Sequence, residues 1–159
     1  MLAELLDRDL KPALELVRQV RRYDAGAAAR LYAYLRTDVA NLISFPFDAR
    51  GLYNDEVLNG EGFGEQRRCR ETFHREIRDL ISEGIESGAF RDLSPDFAQQ
   101  AITGMTKDTI TGIAIGLVSD PDHRPEEVAD FVLLGLLSDP CDLPEIRAEV
   151  DAMATNAPA

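Results

Sequence analysis

Cys69 and His74 are the first residues to test for metal chemistry, and they fail the test. Five positions apart on a helix, they point to different sides. A tetrahedral site would need partners at spacings that the chain does not offer. His74 reads instead as a surface or pocket residue. His123 stands among Asp120 and Asp122. That turn could hold a cation weakly, but a solvated acidic turn is the plainer reading. "GEGFG", residues 60–64, has the glycines of a phosphate loop. It lacks the preceding strand and the lysine that make such a loop work, and it reads as a hinge. Ser44, Ser82, Ser87, Ser94, Ser119 and Ser138 lie near helix ends or wet faces, where capping accounts for them. No set of nucleophile, base and orienting group is legible. The expectation is a protein that is not an enzyme, with no cofactor and no metal.

One constellation has the make-up of a small-molecule site. Tyr34, Asp38, Phe45 and Phe47 lie on or just after a second helix. Phe73, His74 and Ile77 lie on a third, and Met105 and Thr109 on a fourth. Packed together, these would line a mostly apolar cavity with a few polar groups. The alternative is a filled hydrophobic core.

The elements that must position these residues are helices. Leu2, Leu5, Leu6, Leu10, Leu14, Val17 and Val20 recur at helical spacing over residues 2–22, with Pro12 expected to bend or split the run. Asp24 is placed to cap a second helix that runs to about Ser44, with Leu31, Leu35, Val39 and Leu42 on one face. Residues 45–65 break the pattern with Pro46 and four glycines, and read as a loop with a short helical turn near residues 54–58. A third helix, about 65–87, carries Cys69, Phe73, Ile77, Leu80, Ile81 and Gly84 on its buried stripe. Glu71–Arg75 and Arg75–Asp79 are spaced to pair on its wet face.

"LISEGIESGAFRDLSPDFAQQAITGM", residues 80–105, then writes a sharp stop and restart. Gly88 can take the left-handed cap, Ser94 can cap the next helix, and Pro95 suits its first position. That fourth helix should run to about Val118, with Ala98, Ala101, Ile102, Met105, Gly112, Ile113 and Gly116 on one face. The fifth, about Pro125 to Ser138, is apolar almost all round. A helix apolar on every side must be covered on every side. In a small domain one side is left for a partner. Asp142 and Glu145 fit a capping box for a last short helix.

The fold class expected is all-α with no sheet, a bundle of about six helices whose last two long helices form a four-helix dimer interface. One domain over residues 1–154 and a frayed tail over 155–159 are expected. Gly104, Gly112 and Gly116 would let backbones approach across the two-fold axis. Phe131, Leu134 and Leu137 would supply buried area.

Composition narrows the function classes. The chain has 159 residues, is 45% hydrophobic, and carries a net charge of −12. It should repel phosphate backbones and bind nucleic acid poorly by itself. Its most apolar stretches, "ITGIAIGLV" and "FVLLGLL", fall well short of the ~20 residues of a membrane helix. "MLAELLDRDL" has acids where a secretory signal has bases, and two cysteines fit a reducing cytoplasm.

"FHREIRDLISEGIESGAFRDLSPDFAQQAITGM" resembles the C-terminal domain of TetR/AcrR-family transcriptional regulators. The likeness lies in Glu83, Gly84, Gly88, Phe90 and Arg91. It continues through Asp96, Ala98, Ala101, Ile102, Gly104 and Met105. "EEVADFVLLGLL" is similar to the family's last dimerisation helix. The resemblance covers about residues 1–140 in helix order and is sharpest over 73–105. It implies a homodimer that senses a small-molecule effector. It implies contact with DNA only through an N-terminal helix-turn-helix, which this chain does not contain. "MLAELLDRDLKP" opens in mid-pattern, as a piece of a longer regulator would. The alternative is a stand-alone helical small-molecule-binding or scaffold protein with no DNA role.

Overall fold

The computed structural model describes residues 2–44, 58–117 and 120–156. Among them run six α-helices: α1 (Leu2–Arg21), α2 (Ala27–Ile43), α3 (Gly64–Glu86), α4 (Pro95–Ala114), α5 (Arg124–Leu136) and α6 (Leu143–Asn156). A 3₁₀ turn, Pro140–Asp142, leads into α6. The described residues hold no sheet, only an isolated antiparallel bridge between Phe90 and Leu137.

Helix α2 is the axle. Leu31, Tyr32, Leu35 and Val39 are each at most 1% exposed, and Ala27, Ala28, Ala29 and Ala33 are buried around them. Short alanines let several helices approach one central rod, so α2 packs against α1, α3, α4, α5 and α6. The expected single face of four residues understates this. Two tyrosines, not just leucines, complete the burial. Tyr32 donates to Asp130 of α5 at 3.0 Å, and Arg147 of α6 donates Nε to the same carboxylate at 2.8 Å. Burial, with that carboxylate beside it, pushes the Tyr32 hydroxyl up to about 12.

Three local expectations are corrected. Helix α1 runs unbroken through Pro12. Pro12 and Arg8, whose carbonyl it cannot bond, both lie on the exposed side of the helix, where the lost bond costs least. Asp24 does not cap α2. The cap position is Gly26, with no side-chain bond, because Arg22, Tyr23 and Ala25 first close a turn through Gln19, Val20 and Tyr23 carbonyls. Arg75 donates to Thr72 rather than pairing with Glu71 or Asp79. Asp79 lies instead 3.8 Å from Arg21. Arg21 is the centre of a half-buried network. It donates to Glu76 and Glu83 of α3, and Arg30 of α2 reaches Glu83 at 3.3 Å.

The stop between α3 and α4 is built as the residues propose. Gly88 sits at φ 80°, and its amide bonds the Ile85 carbonyl at 3.0 Å. The Phe90 amide then bonds Gly84 at 2.9 Å, folding the Phe90 ring back over the helix. A Cβ on Gly84 would stand 2.1 Å from that ring. Arg91 and Ser138 amides bond Leu136 and Ala89 carbonyls at 2.9 and 3.0 Å, so the α3–α4 link and the end of α5 lock together. Ser94 Oγ accepts from the Phe97 amide at 3.3 Å, with Pro95 following.

Helix α4 ends at Ala114 rather than near Val118, where Gly116 at φ 74° turns the chain and the Leu117 amide bonds Gly112 at 2.8 Å. Helix α6 is longer than the short helix expected and reaches Asn156, into the segment read as a tail.

Candidate functional site

A cavity of about 530 Å³ opens between α1, α2, α3 and α4. The third helix brings Phe73 and His74, with Ile77 about one turn on, to the cavity. Tyr34 and Asp38 come from α2, also one turn apart. The Tyr34 and Phe73 rings pack at 6.0 Å, tilted by 55°. The Phe73 and His74 rings follow at 5.7 Å. These five residues come together as the spacing proposes.

The rest of the expected set does not line the cavity. Met105 packs against the main core, and Thr109 is half-buried away from the opening. The face that α4 presents is Gln99, Ile102, Thr103 and Thr106, whose centre lies more than a quarter-turn round the helix from Met105. Part of the signal was present in the sequence: polar Gln99, Thr103, Thr106 and Lys107 share one side of the helix. Helix α1 was missed altogether, yet Leu6, Asp9, Leu10 and Ala13 form one wall. An acid set inside that apolar stripe was its signal. Phe45 and Phe47 lie outside the described residues.

Asp38 is the most buried of the charged groups that line the cavity. It is 8% exposed, and Tyr34 donates to its Oδ2 at 3.0 Å. Burial pushes its carboxyl up to about 7, the Tyr34 bond pulls the other way, and nearby Asp9 adds to the rise. An acid whose proton is held more tightly when folded loses stability as pH rises. The unfolded chain ionises near pH 4 while the folded one keeps its proton, until both are ionised above pH 7. Asp38→Asn removes this term. The stability of the variant relative to wild type should rise by roughly 2 kcal/mol between pH 5.5 and pH 8. Urea unfolding at the two pH values measures it, and parallel wild-type and variant curves would contradict it.

The metal and nucleotide readings gain nothing. Among the described residues no group of three or more His, Cys, Asp or Glu could hold a metal. His123 Nδ1 meets Asp120 at 2.9 Å in an exposed turn, and that carboxylate raises the imidazole's proton affinity. Gly62 and Gly64 stand at the entry to α3, where Arg67 donates to the Leu58 and Gly60 carbonyls, both at 2.9 Å. That arrangement is a tied turn ahead of a helix. No helix of the described residues is long and apolar enough to cross a membrane.

The expected interface residues divide. Phe131 and Leu134 face outward from α5, 71% and 47% exposed, and Phe97 of α4 is 69% exposed. Leu137 is 4% exposed and belongs to this chain's own core, through the bridge to Phe90. Gly104 is exposed at the cavity rim, Gly112 is half-buried, and Gly116 is exposed at the turn that ends α4.

The described helices form a bundle with a cavity among the first four and exposed apolar side chains, Phe97, Phe131 and Leu134, on α4 and α5. The fold matches the crystal structure of Mycobacterium smegmatis AmtR, with a TM-score of 0.76 over 99% of this chain and 73% of that one, at 22% identity. Residues 24–111, more than half of the chain, match the model of the tetracyclin repressor-like C-terminal domain. The chain belongs to that family, the C-terminal domains of TetR-like transcription regulators, which are not enzymes. Comparison with curated proteins gives no match.

Proposed function

We propose that this domain binds a small apolar or amphipathic effector and joins two copies of a TetR-like repressor. The observation that carries the reading is the cavity, large enough for a small organic molecule and lined by apolar side chains interleaved with polar and charged ones, an amphipathic wall. Its α1 wall supplies the coupling. In the family resemblance, α1 follows the DNA-reading motif of the full regulator. A ligand that touches Leu6, Asp9 and Leu10 favours one placement of α1 over another. Differential contact of that kind is what shifts a two-state equilibrium. The acidic charge of −12 supports a reading in which DNA contact falls to the reading motif and not to this domain.

Filling the cavity tests the reading. Thr103 is half-buried on the cavity face of α4. A screen of neutral and amphipathic molecules by thermal shift should yield ligands that stabilise wild type. Thr103→Trp should lose that stabilisation while keeping its helical circular dichroism. Ligands that stabilise both proteins equally would bind elsewhere and defeat the assignment.

A further inference from the structure

The most buried carboxyl in the cavity has no counter-charge among the described residues. Asp38 is more than nine-tenths buried, and its hydrogen bond comes from a neutral donor, Tyr34. Charged and titratable groups approach the cavity from three helices: Asp9 on α1; Arg70, Glu71, His74 and Arg78 on α3; and Lys107 on α4. Of these described charged groups only Asp9 acts on Asp38, and it is another acid. The bases leave no mark on it, and Arg78 is turned to Asp96 at 3.3 Å. A buried carboxylate facing a second acid, with no described base acting on it, gains most from a cation brought in from outside. The Tyr34–Phe73 ring pair beside it offers aromatic surface, which also attracts cations.

We propose that the cavity selects a cationic amphiphile, with a protonated amine at Asp38 and an apolar body against Leu6, Leu10, Phe73 and Ile77. This rests on the effector-site reading above and narrows it. Because Asp38 ionises at about 7, the amine should bind more tightly as pH rises through neutrality. Going from pH 6 to pH 8 takes the ionised fraction from roughly a tenth to roughly nine-tenths, about a tenfold gain.

Three matched probes test it: 4-(1-naphthyl)butylamine, 4-(1-naphthyl)butanoic acid and 4-(1-naphthyl)butan-1-ol. The chain has no tryptophan, so naphthyl emission reports binding directly. At pH 8 the amine should bind at least about tenfold more tightly than the acid or the alcohol. Asp38→Asn, checked for folding by circular dichroism, should bring the three within about threefold and flatten the pH dependence. Asp9→Asn should weaken the amine by a smaller factor. If alcohol and acid bind as well as the amine, or if Asp38→Asn keeps the preference, the cationic class is overturned and the ligand cavity stands. If no probe binds wild type at any concentration tested, the cavity reading falls and this proposal with it.

Discussion

Gly84→Ala is expected to lower the unfolding midpoint by about 6–12 °C, the consequence of a destabilisation on the order of 3 kcal/mol. The added Cβ would stand 2.1 and 2.3 Å from two carbons of the Phe90 ring. Overpacking is tolerated when the neighbour can swing aside, and Phe90 cannot. It is 2% exposed, its amide is bonded back to Gly84, and its flanking backbone is tied to Leu136 and Ser138. Either α3 shifts, disturbing Leu80 and Ile81 in the core, or the ring leaves its seat. Phe90→Leu in the Gly84→Ala background should recover part of the loss, because the two positions share one clash and their effects are not additive. Thermal unfolding of the four proteins measures this coupling. A midpoint shift below about 2 °C for Gly84→Ala would show that the seat is looser than its geometry.

That pair explains the phrase on which the family resemblance turns. A glycine, a second glycine four positions on, and a phenylalanine two further form one device. Gly84 is the seat, Gly88 reverses the chain, and Phe90 closes over the helix. The phrase was legible because each part is a backbone demand that few residue types meet. Ser94 and Pro95 were legible for the same reason. Asp24 was not, because a capping residue is recognised only relative to where its helix starts, and a tertiary turn moved that start to Ala27.

The cavity was legible by half. Tyr34, Asp38, Phe73, His74 and Ile77 follow from aromatic and polar residues at helical spacing on two helices that pack together. The α4 face was misread because Met105 looked like lining on hydrophobicity alone. The bundle instead turns Met105 to the core and Gln99, Thr103 and Thr106 to the opening. Helix rotation is set by partners on both sides, and a local pattern sees one helix at a time. The same limit misassigned Leu137. In an all-apolar helix, periodicity cannot say which side the chain's own core will take.

Leu134 is the second large test, because its outward side chain separates association from folding. At 47% exposure in the single chain, it can become Glu without entering that chain's core. In a two-fold dimer the same change acts twice, placing two carboxylates in an apolar seam beside Phe131. Each large apolar side chain withdrawn from water there is worth about 1.5–3 kcal/mol when fully buried. Leu134→Glu should therefore weaken association by at least about 100-fold while leaving the helical circular dichroism unchanged. Leu137→Glu, aimed at a residue 4% exposed, should instead unfold the chain.

Sedimentation equilibrium at micromolar concentration, on wild type and Leu134→Glu together, tests the domain's proposed role as the joint between two regulators. The account predicts a wild-type dimer and a folded Leu134→Glu monomer. A wild-type monomer, or a Leu134→Glu dimer as tight as wild type, would contradict it.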